Sequence, residues 1–176
     1  NTKHIPVMLT QILSIITPQH GGTFIDCTFG GGGYSKAILK YPNTKVIAID
    51  RDVKTKKIAN QINNKHSNRF TFINDKFSNL HKIVSSEINP KAIIFDLGFS
   101  SDQISDSLRG FSFNSKGPLN MEMGINDISA NDVINKFDKE DLIKILKYLG
   151  EEKDSKKIVN EIIKYRNQNQ INSSYE

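Results

Sequence analysis

Only one cysteine, Cys27, occurs in the 176 residues, so no intrachain disulfide can form and a reducing, cytoplasmic setting is expected. No apolar run approaches the roughly 18 residues of a membrane helix, which argues against a membrane protein. The opening stretch "NTKHIPVMLT" lacks the long apolar core of a secretory signal. That stretch begins on Asn1 instead of Met, so either processing or residues outside this sequence are expected to account for the true start. His4, His20, His66 and His81 are scattered without metal-ligand spacing, so no metal site is predicted. A phosphate-gripping P-loop is missing as well. The chain has a glycine run, but it continues into Tyr34, Ser35 and Lys36 where Gly-Lys-Ser/Thr would be required.

What is there reads as globular, with 37% hydrophobic and 24% charged residues and enough length for one substantial core. A net charge of +5 suits an anionic partner such as RNA. In the first half, apolar β-rich runs at Thr23–Phe29, Lys45–Asp50, Arg69–Asn74 and Ala92–Leu97 alternate with helical patterns at Tyr34–Lys40, Val53–Lys65 and Asn79–Ser86. A further helix, Met8–Ile16, precedes the first strand. Short, nearly all-apolar strands separated by helices predict an α/β fold with a parallel sheet covered on both faces.

From Gly98 to Asp127 the rhythm stops, and glycines are interleaved with Phe99, Phe111, Phe113, Met121 and Met123. A long loop of this kind is more often functional than idle, and its aromatics favour order. Helical signals return after Ser129. Asp138 sits at an N-cap position, Leu142, Ile145, Leu146 and Leu149 follow at helical spacing, and Gly150 is the stop. Ile158, Val159, Ile162 and Ile163 form a second stripe, and the polar end "NQNQINSSYE" is expected to fray.

The glycine run, in "DCTFGGGGYS" (Asp26–Ser35), lies between a strand and a helix. There it lets the backbone turn sharply and approach a ligand, with helix N–H groups pointing at it. Either a dinucleotide pyrophosphate or the amino-acid end of S-adenosylmethionine would fit. Asp50 closes the second strand, where a carboxylate takes up ribose hydroxyls in mononucleotide-binding βαβ units. A solvated aspartate opening the next turn is the plainer alternative. Asp96 ends the fourth strand and faces the crevice where open α/β sheets bind ligands. It is read either as an acceptor for a substrate amine or as an N-cap for the next segment.

"HIPVML" (His4–Leu9), "DCTFGGGGYS", "AIDRD" (Ala48–Asp52), "DLGFSSDQI" (Asp96–Ile104), "RGFSF" (Arg109–Phe113), "GPLNMEM" (Gly117–Met123) and "GEEKDSKKI" (Gly150–Ile158) occur in that order. Together they resemble the bacterial small-subunit (16S) ribosomal RNA cytosine-N4 methyltransferases, the MraW family. The resemblance implies S-adenosylmethionine-dependent methylation of a cytidine N4 within the small ribosomal subunit. It implies a Rossmann-like methyltransferase core with a helical insert domain: residues 1–105 would belong to the core, 106–128 to an active-site loop and 129–176 to the start of the insert. By motif match, Gly32, Gly33, Tyr34, Asp50, Phe77, Asp96 and Gln103 would bind the cofactor. Asp96 would also be catalytic, and Phe77 would lie beside the adenine.

This sequence departs from the family pattern at Tyr34 (usually His), Asn120 (usually Asp) and Glu122 (usually Arg). A "FHSLED"-like motif of longer members is missing, so the sheet is expected to be incomplete. Its fourth strand would then carry an unpaired edge prone to self-association. Two other readings stay open: a catalytically silent S-adenosylmethionine- or RNA-binding module, and an NAD-binding Rossmann protein.

Overall fold

The computed structural model describes residues 6–112 and 117–176. His4, Ile5 and Phe113, which belong to the first and fifth motifs, lie outside the described residues. The chain forms two compact units, Asn1–Gly98 and Phe99–Glu176.

The first unit is built on four parallel strands, β1 (Gly22–Asp26), β2 (Thr44–Ile49), β3 (Phe70–Ile73) and β4 (Ala92–Ile94), in the order β3-β2-β1-β4. Direction along the sheet reverses at β1, which makes the carboxyl ends of β1 and β4 the switch point where such sheets open a crevice. Successive side chains of a strand point to opposite faces; one face is covered, and the other is covered only in part, since Ile93 of β4 is exposed. Phe24 packs with Val46, Ala48, Phe70 and Ile94 beneath helices α1 (Leu9–Ile16), α2 (Gly33–Ile38) and α3 (Lys56–His66). Ile25 faces the other way, towards Cys27, Ile49 and helix α4 (Leu80–Ile83). Phe24 and Ile25 are both essentially inaccessible to solvent. Burying a side chain of that size contributes about 1.5–3 kcal/mol, so the two faces are tied through neighbouring residues of one strand.

Helix α2 ends against the amino edge of the sheet. There the Arg69 guanidinium donates to the carbonyls of Leu39 (3.1 Å), Tyr41 (2.8 Å) and Thr44 (3.3 Å). One planar fork thus ties the C-cap of α2, the turn after it and the first residue of β2 together. Two strands stop sooner than expected. β1 ends at Asp26, where the buried carboxylate and the glycine turn take over, and β4 ends at Ile94, so Asp96 lies two residues past its strand.

In the second unit, residues 99–128 carry a short helix α5 (Ser101–Ser105) and a turn at Ser107–Arg109. Gly110 has φ 73°, and a Cβ there would lie 2.3 Å from the Pro118 carbonyl. Helix α6 (Ala130–Lys136) begins with a capping box in which Ser129 and Asp132 satisfy each other's N–H groups. Asp138 caps α7 (Lys139–Lys144) by accepting from the Asp141 N–H at 2.8 Å, as its position implied. The helix widens to a π turn over Ile145–Leu149 and stops at Gly150. Helix α8 (Ser155–Arg166) buries Val159 completely.

The end of the chain does not fray as its composition suggested. Ile171 is buried, its carbonyl accepts from Asn131 (2.9 Å) and Asn135 (2.7 Å), and its N–H donates to the Asn135 Oδ1 (3.0 Å). Ser173 bridges Pro118 in antiparallel fashion. Two asparagines on one face of α6 supply what polarity alone cannot reveal, a fixed set of partners for the tail backbone. Among the described residues, no helix is long and apolar enough to cross a membrane.

Candidate active site

The glycine run folds as a turn joining β1 to α2, and its four residues are not equivalent. Gly30 (φ 49°) and Gly32 (φ 71°) occupy the left-handed region. A Cβ on Gly32 would press within 2.9 Å of Ile62 and the Phe29 ring. Gly33 has ordinary φ, but a Cβ there would come within 2.1 Å of the Pro6 ring. At Gly31 a Cβ would meet nothing within 4 Å. The turn is therefore closed on the protein side and bare at Gly31.

Asp50 is brought to this turn. Its Oδ2 accepts the Gly30 N–H at 2.6 Å and its Oδ1 accepts the Asp52 N–H at 2.8 Å. Asn74, after β3, donates from its side-chain amide to the Asp50 carbonyl at 2.7 Å. The ends of β1, β2 and β3 are thus joined by hydrogen bonds at one residue, β1 through the Asp50 carboxylate and β3 through its backbone carbonyl. Phe77 follows on the same edge, half exposed, with its ring edge-on to Phe95 at a centroid distance of 5.4 Å.

Beneath the turn lies a second carboxylate that sequence reasoning did not single out. Asp26 is fully buried. It accepts from the Ser35 hydroxyl at 2.7 Å, while the Thr28 N–H lies 3.4 Å from its Oδ1. Burial pushes its pKa up to about 6, against the partial relief of those hydrogen bonds. The third acid, Asp96, is held through its backbone, whose N–H donates to the Thr28 hydroxyl at 2.8 Å. Tyr34 is only 6% exposed, and its hydroxyl donates to the Val7 carbonyl. Burial raises the phenol's pKa, and the charges of Asp96 and Asp26 raise it further, so it sits within reach of both fields.

A sequence model of the MraW methylase family matches residues 1–176 of this chain. The chain belongs to the MraW methylase family. Among curated relatives of this chain, ribosomal RNA small subunit methyltransferase H of Orientia tsutsugamushi (strain Boryong) is 40% identical over 174 residues, covering 99% of this chain and 56% of the relative. The enzyme of the same name from Rickettsia canadensis (strain McKiel) is 41% identical over 173 residues, covering 98% and 56%. The chain therefore spans just over half the length of the curated relatives it matches. Among solved structures, the C-terminal domain of precorrin-6Y C5,15-methyltransferase from Rhodobacter capsulatus aligns over 55% of this chain and 53% of its own, at 17% identity and a TM-score of 0.45.

Of the residues expected to form the MraW site, Gly32, Gly33, Tyr34, Asp50, Phe77 and Asp96 all lie on the carboxyl edge of the first unit's sheet or in the turns leaving it. Gln103 lies in the second unit, where its Oε1 accepts the Ser100 N–H (2.9 Å) and its own N–H donates to the Ser100 hydroxyl (3.2 Å). That reciprocal pair caps α5. Sequence reasoning missed Asp26, Thr28, Ser35 and Phe95. An acid in the apolar strand "TFID" and a hydroxyl two residues on were the signals that could have exposed the first two.

Proposed function

We propose that this chain forms the cofactor-binding half of a methyltransferase that uses S-adenosylmethionine to modify the exocyclic N4 of a cytidine in small-subunit (16S) ribosomal RNA. The observation that carries the reading is the Gly30–Asp50 hydrogen bond, which ties the glycine turn after β1 to the end of β2, in a chain matched end to end by the MraW methylase family. The relatives' printed names, ribosomal RNA small subunit methyltransferase H, supply the substrate class.

The residues present fit the cofactor. A bare main chain at Gly31 leaves room for close approach, and Asp50 is held at the turn where sugar hydroxyls would be accepted. Three carboxylates, Asp26, Asp50 and Asp96, gather on one edge, which favours a sulfonium cation over a pyrophosphate. Gly32, Gly33 and Tyr34 would serve through their backbone, since the Tyr34 hydroxyl is engaged by Val7. Phe77 would offer its ring to the adenine. S-adenosylmethionine supplies an electrophilic methyl group when bound.

The acceptor amine is conjugated to its ring and a poor nucleophile. Asp96 accepts its N–H and so orients the nitrogen lone pair along the line of transfer, a gain in orientation and electrostatic stabilisation. Residues 106–128 form the active-site loop. The Phe99 ring, 58% exposed and stacked on Phe111 at 5.7 Å, offers a face to an unstacked base. A silent binding module is the second reading, motivated by Asn120 and Glu122. Asn120 accepts the Ala130 N–H through its backbone carbonyl, and the Glu122 backbone bonds the carbonyl and the guanidinium of Arg109, so these loop bonds do not use the two side chains that depart from the family pattern.

Two measurements on the full-length protein test the proposal. Calorimetric titration should show heat with S-adenosylmethionine and none with NAD; the reverse would end the methyltransferase reading. Labelled S-adenosylmethionine and undermethylated small subunits should give label at a single cytidine, and a protein that binds the cofactor without incorporation would favour the silent module.

A further inference from the structure

We infer that Thr28 is a positioning residue whose hydroxyl sets the backbone of Asp96 and couples the glycine turn to the acceptor segment after β4. The inference rests on the reading of Asp96 given above. Regular pairing between β1 and β4 ends at Asp26 and Ile94, with a last backbone bond from the Cys27 N–H to the Ile94 carbonyl at 2.9 Å. Two residues further on, Asp96 has left the ladder, and its N–H donates to the Thr28 Oγ1 at 2.8 Å. A side-chain hydroxyl therefore continues the pairing where the backbone ladder has stopped.

The hydroxyl is itself well placed. Thr28 is half-buried, and its β-branched side chain has restricted χ1 freedom. Its own N–H lies 3.4 Å from the Oδ1 of buried Asp26, whose Oδ2 takes the hydroxyl of buried Ser35 in α2 at 2.7 Å. The path Ser35–Asp26–Thr28–Asp96 thus runs from the helix that follows the glycine turn to the acid that orients the amine. Disturbing the Thr28 hydroxyl would turn the Asp96 peptide while leaving the Gly30–Asp50 and Tyr34–Val7 bonds in place.

The test uses three variants of the full-length protein: Thr28→Val, isosteric but without the acceptor; Thr28→Ser, which restores the hydroxyl; and Asp96→Asn. A net hydrogen bond of about 1 kcal/mol corresponds to roughly a fivefold effect. Thr28→Val should lower kcat by about fivefold or more while the KM for S-adenosylmethionine stays within about twofold, and Thr28→Ser should recover kcat. Hydrogen exchange at the Asp96 amide should accelerate in Thr28→Val and return to the parent rate in Thr28→Ser.

Unchanged kcat and unchanged Asp96 exchange in Thr28→Val would overturn the inference. So would equal losses in the Val and Ser variants, which would mark general damage. If Asp96→Asn keeps full activity, the role given to Asp96 fails, and exchange at its amide alone decides whether Thr28 positions it.

Discussion

Asp26 makes the stability of the first unit depend on pH in a direction opposite to that of most carboxylates. Its pKa rises from 3.8 to about 6 on folding, chiefly because the group loses water, with the Ser35 and Thr28 bonds holding it back. The folded state therefore binds the proton more tightly than the unfolded chain. Its contribution is most favourable below about pH 4 and is lost as pH rises through about 6. A difference of about two pKa units corresponds to about 3 kcal/mol as an upper figure. Asp26→Asn removes this dependence, because the amide stays neutral at every pH. Urea unfolding of wild type and Asp26→Asn should coincide near pH 4. By pH 7 the variant should be more stable by up to about 3 kcal/mol, or about 1.5 M in midpoint for an m-value near 2 kcal/mol/M. Other carboxylates titrate equally in both proteins and cancel in the difference. Parallel stability curves across this range would refute the reasoning, and so would a variant that loses ground as pH rises.

The glycine turn offers a paired comparison: Gly31→Ala should melt within a few degrees of wild type, whereas Gly33→Ala should be destabilised because its methyl group meets Pro6 at 2.1 Å. Asp50→Asn exchanges a charged acceptor for a neutral one at Gly30, so stability should fall by about 1–2 kcal/mol. Calorimetry should also show S-adenosylmethionine affinity at least about tenfold weaker in that variant. Tyr34→Phe frees the Val7 carbonyl and should cost about 1 kcal/mol in urea unfolding, with cofactor affinity unchanged, because the phenol points to Val7. Ile171→Ala should destabilise the second unit by about 2 kcal/mol and speed proteolysis of the last residues, since that side chain anchors the tail.

The strand–helix rhythm was legible because parallel strands read as apolar runs, as "VIAID" and "AIIFD" do, although Ile93 and Phe95 in the second run are exposed. Asp50 was legible for the same reason, as a charge at the end of an apolar strand. The early ends of β1 and β4 were not, because "CTF" and "FDL" look as strand-like as what precedes them and only long-range pairing decides. Tyr34 was expected at the cofactor by motif match; the burial of its phenol against Val7 depends on how the segment before α1 packs, which local pattern does not encode. The docked tail escaped notice because asparagine partners 36 and 40 residues away supply its bonds. Gln103 as a helix cap was readable in principle from Ser100 three residues earlier.

The Arg69 clasp makes the two ends of the β-sheet mechanically unlike. At the amino end a single guanidinium gathers three carbonyls from the exit of α2 and the entry to β2, so that end resists opening as one body. At the opposite end the strands run out into separate turns joined by aspartate side chains. Breathing of the sheet should therefore begin at the edge that carries the proposed cofactor site, while the clasped end stays shut, much as a book opens at its fore-edge and holds at the spine.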